Sequence, residues 1–531
     1  MDTVLRGARI ADGTGAEEFE GDVGLRGGRI ARIAGPGSLS GRRVVDATGL
    51  VLAPGFIDMH AHSDLQVLAE PGHVAKVSQG VTTEVLGQDG LSYAPVDDRT
   101  LPALRAQLAG WNGDPPGFDW NWRSVGEYLD RLDEGIAVNV AYLVPQGTVR
   151  MLAVGWDDRP ATEEELDTMR ELVARGMREG AFGLSSGLTY TPGMYAGTDE
   201  LVALCEVAGA HGGFHSPHHR SYGAGALEAY AEMVAVSRRA RCPLHLAHAT
   251  MNFPVNEGRA PELLALLDDA IAEGCDISLD SYPYLAGATY LSALLPSWAA
   301  EGGVDATLTR LADPGVRERI RAEIEETGSD GAHGVPVDWA AIEINGVRDA
   351  ANAHLVGHSV AESARSAGLA PAELYFRVLI SDRLGTSCLM HVGHEENVRA
   401  VMRHSAHTGG SDGLLVGDRP HPRAWGTFPR YLARYVRELG VLSLTECVAH
   451  LTGRAARRLR LPDRGLIREG HVADLVLFDP GTVADTATFE QPRRRPDGIP
   501  HVFVGGVAAI DDGRPTGALN GGSLRHRGRA A

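Results

Sequence analysis

The chain has 531 residues, 44% hydrophobic and 22% charged, the balance of an ordinary soluble globular protein and more than one typical domain requires. Fifty Lys and Arg against 69 Asp and Glu give a formal charge of -19, which disfavours nucleic acid and anionic membrane as partners. There is no apolar run of about eighteen residues, the opening MDTVLRGARIADGTGAEEFEG has no signal-peptide pattern, and Cys205, Cys242, Cys275, Cys388 and Cys447 show no disulfide spacing, so a cytoplasmic setting is expected.

Residues 1–55 contain TVLRGARIADG, DVGLRGGRIARIAG and RRVVDATGLVLAPG, short β-branched and apolar runs punctuated by glycine. HVADLVLFDP and HVFVGGVAAIDDG, within 466–531, have the same texture. Neither end has enough apolar positions to close a core alone. They are therefore expected to pair as one small β-sandwich domain.

Between them, 56–465 alternates strand-like and helix-like stretches. The strand candidates are GFIDMHAHSD, TTEVLGQDG, VNVAYLVP, AFGLSSG, GGFHSPHH, PLHLAHAT and CDISLDSYP. Helical runs such as TEEELDTMRELVARGMREG and PELLALLDDAIAEG separate several of them, the second closing on a glycine C-cap. Repeated βα units make either a doubly wound sheet or a closed barrel. His, Asp and Tyr recur at the C-terminal ends of successive strands. A barrel gathers those ends into one mouth, so an α/β fold with a (β/α)8 TIM-like barrel is expected. Residues 295–375 break the rhythm and read as an excursion that helps wall the pocket. TATFEQPRRRPDGIP, at 486–500, reads as a loop, with Arg493–Arg495 on a solvated surface.

His60 and His62 follow the apolar run VLAPGFIDM. Residues i and i+2 of a strand share a face, so both imidazoles enter the barrel together. Asp58 has the same parity one step deeper, where it either orients an imidazole or is simply packed. Asp89 in GQDG, His218 in HSPHHR, His248 in HLAHAT and Asp412 in GGSDG lie at later strand ends. Imidazoles and carboxylates suit zinc, and six such groups at strand ends are costly to desolvate without a shared partner. The pairs His215/His218 and His245/His248 differ by three and face opposite sides of a regular strand; the later member of each lies nearer the C-terminal end and is the expected ligand. His219 belongs beside the site or at the surface. His391, His394, His404 and His407 fit a loop surface as well as a site.

GFIDMHAHSD, GVTTEVLGQDG, GAFGLSSGLTYTPG, SYPYLAG, SDG and HPRAWGTFPRYLARYVR resemble the N-acyl-D-amino-acid deacylases, the D-aminoacylases of the amidohydrolase superfamily. LTGRAARRLRLPDRGLIREGHVADLVLFDP and VADTATFEQP extend the resemblance over nearly the whole chain, most weakly at 295–375. It implies zinc-dependent hydrolysis of the amide bond of a small-molecule N-acyl-D-amino acid, releasing a carboxylate and a free D-amino acid. It assigns His60 and His62 to one Zn²⁺ and His218 and His248 to a second, tightly held one, with Asp412 as ligand and general base. Tyr190 in GLTYTPG and Arg423 in HPR match positions that hold the substrate carboxylate, and Arg220 in HHR matches an arginine near the pocket.

The sequence departs from the family at Asp89, where GQDG replaces a GNCG segment and a harder carboxylate replaces a thiolate. Either one or two ions per chain are compatible with that change. The sole lysine, Lys76, precedes the second strand, so the carbamylated-lysine bridge of hydantoinase-like, dihydroorotase and urease-like relatives is not available. A region rich in Leu, Tyr, Trp and Met without lysine favours hydrophobic substrate side chains. Two alternatives stand beside this reading: an amidohydrolase acting on another acylated amine or cyclic amide, and a catalytically silent barrel serving as a binding module.

Overall fold

A computed structural model describes residues 1–528. Eight parallel strands form its centre: β1 (Phe56–Asp58), β2 (Val81–Leu86), β3 (Asn139–Pro145), β4 (Gly183–Gly187), β5 (Phe214–His218), β6 (Leu244–Leu246), β7 (Ile277–Ser281) and β8 (His407–Gly409). Each pairs with its neighbour in sequence. The Met59 amide donates to Gly409 O, and the Asp412 amide to His60 O, which draws β8 against β1 and closes the barrel. Every residue of β2 and β3 is buried, as expected for parallel strands covered on both faces. The surrounding helices follow their local signals. Glu163–Glu179 starts at a Thr162/Glu165 capping box, carries three glutamates in its first turn and buries Met169, Val173 and Met177.

Seven strands coincide with predicted segments. The eighth lies in HTGG, where a loop surface and a site were equally compatible with the sequence. Three residues are too few to show a period. His407 is buried there, with Nε2 2.9 Å from Ser281 Oγ and Nδ1 2.9 Å from His450 Nδ1, while His391 stays half-exposed beside Glu343.

The excursion is larger than 295–375. Between β7 and β8 the chain builds a four-stranded antiparallel sheet from Ala286–Tyr290, Ser387–His391, Ile342–Gly346 and His358–Ser359. Helices including Pro314–Ala322 and Pro371–Ser381 complete its own core around Leu294, Ile320, Ile344, Tyr375 and Leu379. Its first strand pairs with one about a hundred residues later (Ala286 opposite His391), so local sequence does not mark its borders.

The two chain ends share one nine-stranded sheet, joined where Val51–Pro54 runs antiparallel to Leu475–Phe478. A bridge between Arg29 and Val472 brings opposite parts of this sheet together, so it folds back over a core of Leu5, Ile10, Val23, Leu52, Leu475 and Phe503. Strand alternation also docks the domain. Leu475 and Leu477 enter this small core, whereas Val476 and Phe478 point into the core of the barrel. The terminal stretch also touches the barrel. The Gly521 amide donates to Ile136 O, Ser523 bonds Asp133 and Arg525 pairs with Asp130, so the last described residues strap the N-terminal end of β3. Among the described residues, no helix is long and apolar enough to cross a membrane.

Candidate metal centre

The six predicted ligands meet at the C-terminal end of the barrel in two groups that share one residue: His60, His62, Asp89 and Asp412, and Asp89, His218 and His248. Asp89 Oδ1 lies 3.5 Å from both His60 Nε2 and His248 Nε2, and its Oδ2 lies 3.4 Å from both His62 Nε2 and His218 Nδ1. His60 and His62 bring their Nε2 atoms to 3.3 Å, and His218 Nδ1 stands 3.1 Å from His248 Nε2. Asp412 Oδ1 is 3.1 Å from His62 Nε2 and 3.8 Å from His60 Nε2. Tetrahedral zinc with ligand bonds of about 2.0–2.1 Å has donor–donor edges of about 3.3 Å. The spacing therefore fits ions between these atoms, and so does the lack of any hydrogen-bond partner for buried Asp89 Oδ1.

The backbone at these turns is specialised. Asp89, His248 and Asp412 have φ of 53°, 32° and 49°, left-handed values that non-glycine residues adopt at some cost. Two glycines allow the close approach. A Cβ on Gly187 would lie 2.0 Å from the Asp89 carbonyl oxygen, and one on Gly410 would lie 2.5 Å from Asp280 Oδ1.

The sequence profile of the amidohydrolase family matches residues 43–510. The chain belongs to the amidohydrolase family. It is 35% identical to the D-aminoacylase of Alcaligenes xylosoxydans xylosoxydans over 97% of this chain and 96% of that protein. It is 34% identical to the N-acyl-D-glutamate deacylase of the same organism, over 97% of this chain and 95% of that protein. The solved structure of the N-acyl-D-glutamate deacylase from Bordetella bronchiseptica, complexed with zinc and a phosphonate mimic of the reaction's tetrahedral intermediate, superimposes with a TM-score of 0.84 at 32% identity, covering 99% of this chain and 100% of that one.

In this amidohydrolase the imidazoles are oriented from behind. His218 presents Nδ1 to the cluster while its Nε2 lies 2.7 Å from Thr189 Oγ1; His248 presents Nε2 while its Nδ1 lies 3.0 Å from the Tyr222 hydroxyl. Asp280 accepts the His248 amide at Oδ1, and its Oδ2 lies 3.1 Å from His245 Nε2 and 3.8 Å from His60 Nδ1. Such outer partners select the tautomer and hold the ring in place. His245 is thus a partner of Asp280 rather than a member of the cluster, and His215 is turned to Ser186 Oγ at 2.8 Å. Burial pushes His215 down to about 3, leaving it neutral. His219 is also buried and packs on Tyr222 and Tyr230, outside both ligand groups.

Burial tends to raise the pKa of Asp89, but the imidazoles of His60, His218 and His248 outweigh it and hold the carboxyl well below its ordinary range. For Asp412 burial is likewise overcome, chiefly by Arg423 and by the His62 contact. Both are carboxylates at neutral pH, the form that binds a cation.

Lys76 is fully buried below the cluster, 2.7 Å from Asp58 Oδ2, 2.8 Å from Glu84 Oε1 and 2.9 Å from Ser411 Oγ. Burial lowers its pKa, but Asp58 and Glu84 outweigh that and keep it charged. Asp58 also accepts the Ser411 amide at 2.8 Å and the His60 amide at 3.3 Å, so it orients backbone rather than an imidazole. Lys76→Met removes the cation shared by buried Asp58 and Glu84, of which Glu84 keeps His73 at 2.7 Å, and is expected to lower unfolding stability by about 3–5 kcal/mol in a denaturant titration. A loss within about 0.5 kcal/mol, the range of a neutral surface change, would refute that role.

The substrate-side expectations fare differently from one another. Tyr190 lines the metal cavity, its ring 4.8 Å from that of His218 and its hydroxyl 3.1 Å from Thr289 Oγ1. Arg423 is wholly buried, with Nη2 2.9 Å from Asp412 Oδ2 and its guanidinium 4.5 Å from the centre of the Tyr282 ring. Its Nε and Nη1 have no hydrogen-bond partner. Arg220 is not among the residues lining the metal cavity. Its guanidinium is spent on Glu232 and the carbonyls of Met194 and Ala196, bracing the loop after Tyr190. Tyr282, Asp280, Thr189, Tyr222 and Trp111 were not singled out from sequence. For Asp280 and Tyr282 the signal was present, since ISLDSYP is itself a strand end carrying polar residues.

Proposed function

We propose that this amidohydrolase uses zinc to hydrolyse the amide bond of N-acyl-D-amino acids, favouring hydrophobic side chains. The observation that carries the reading is the joining of two imidazole pairs through Asp89, with Asp412 and the unspent donors of Arg423 at the same barrel mouth. His60, His62, Asp89, His218, His248 and Asp412 would hold one or two zinc ions. Bound there, zinc would lower the pKa of water and polarise the acyl carbonyl.

The remaining steps belong to the chain's own residues. Asp412, ionised at neutral pH, accepts the proton of the attacking water and returns it to the departing amine. Arg423 offers Nε and Nη1 to the substrate's α-carboxylate, and Tyr190 offers a hydroxyl beside it. Holding the carboxylate, the scissile amide and the side chain at three separate points permits selection of one hand. Phe253, Met390, Val392 and Leu414 are among the residues lining the metal cavity and no lysine is, which supports the hydrophobic preference. A cytoplasmic setting belongs to the same reading, supported by five cysteines free of disulfides.

Rates with N-acetyl-D-methionine, N-acetyl-L-methionine, N-acetyl-D-glutamate and dihydrouracil test the proposal, before and after chelation. The D-methionine substrate is expected to be preferred, with activity abolished by the chelator and restored by Zn²⁺. Full activity without metal, equal rates on both hands or preferential ring opening of dihydrouracil would reject it. A higher kcat/KM for N-acetyl-D-glutamate would reject the side-chain preference alone.

A further inference from the structure

Phe253, Met390 and Val392 line the metal cavity on one side and a second cavity on the other. They form a partition between the barrel mouth and the inserted subdomain. The inner cavity is small, about 70 Å³, against about 190 Å³ for the outer one. The outer cavity is walled by Leu294, Val335, Val337 and Ile342, with Ala341 beside them. The polar groups His391, His394 and Asp338 also line it.

The partition has the features of a ligand clamp. Phe253 has φ 66° and ψ 153°, a combination that is essentially a glycine conformation. Two contacts pin it there: its amide donates to Val392 O at 2.7 Å, and its carbonyl lies 2.9 Å from His394 Nε2. Strain of this kind persists only where the surroundings impose it, and here it sets an aromatic ring between two cavities. His333, at φ 60°, lines the inner cavity with its ring centre 5.4 Å from that of Phe253. Met390, unbranched and with three rotatable bonds, is the readily displaced member of the wall.

We infer that the outer cavity is a subsite for a hydrocarbon arm of the substrate too long for the metal cavity to hold. The inference rests on the deacylase reading and extends it to N-acyl-D-amino acids with extended apolar groups. Such an arm is carried either by the acyl chain or by the amino-acid side chain, and both would meet the same apolar walls.

Two substrate series distinguish these sources. One lengthens the acyl group from acetyl to octanoyl on D-alanine. The other keeps acetyl and lengthens a linear side chain from D-alanine to D-2-aminodecanoate. In at least one series kcat/KM is expected to rise by about fourfold per methylene once the arm passes the partition. Val337→Trp and Ala341→Phe each fill the outer cavity at a half-buried position, so one can stand in if the other misfolds. Both should abolish the gain while hydrolysing N-acetyl-D-alanine at the parental rate. A flat response in both series, or a gain that survives both variants, overturns the subsite. If the zinc-loaded enzyme hydrolyses none of these compounds, the deacylase reading falls by itself. Calorimetric affinities for N-octanoyl-D-alanine, N-acetyl-D-2-aminodecanoate and N-acetyl-D-alanine then decide the subsite, and equal affinity for all three overturns it.

Discussion

Asp412→Asn is expected to keep bound zinc and lose about 10²–10⁴-fold in kcat, the contribution typical of a positioned general acid–base group. The substitution is nearly isosteric. It removes the negative charge and the capacity to take a proton, while His60, His62, His218, His248 and Asp89 all remain. Asp412 is the carboxylate that touches both the cluster, through His62, and the buried guanidinium of Arg423. Its low pKa keeps the basic form fully populated at neutral pH, so the variant's deficit should persist across the neutral range rather than be restored at higher pH. Elemental analysis verifies that metal is retained, and steady-state kinetics gives the loss. A kcat close to the parental value would reject Asp412 as the base.

Asp89 is predicted to have the largest effect on metal content. It is the one residue common to both ligand groups, and each of its oxygens faces one imidazole of each pair. Asp89→Ala removes the carboxylate that joins the two imidazole pairs and leaves Asp412 beside His60 and His62 alone. Zinc affinity should then fall at both pairs by more than the about 10–100-fold that loss of an outer-shell partner costs. Asp89→Cys should keep or raise it, because a thiolate is softer toward zinc than a carboxylate. Competition titrations with a chelating dye measure both. Unchanged stoichiometry and affinity in both variants would exclude Asp89 as a ligand.

That these imidazoles and carboxylates converge was legible because strand geometry is local. HxH after an apolar run places two imidazoles on one face, and polar residues at successive strand ends converge once the strands close into a barrel. The choice of His218 and His248 over His215 and His245 likewise followed from position along the strand. Beyond the end of β6 the chain turns at His248, with φ 32°, and sends it to the cluster, while His245 stays inside the barrel against Asp280.

The sequence by itself therefore determined the barrel, the paired termini and the identities of the clustered imidazoles and carboxylates, since periodicity and residue chemistry carry all three. The eighth strand, the borders of the insertion, the bracing role of Arg220, the Arg423–Asp412 pair and the partition around Phe253 were decided only by the tertiary structure. The eighth strand, the insertion and the partition each depend on a partner far along the chain: His407 meets Leu279, Ala286 meets His391, and the Phe253 amide meets Val392. Hydrogen bonds and packing between such distant segments impose no local pattern. They arise when the fold closes and buried polar groups must find partners within reach.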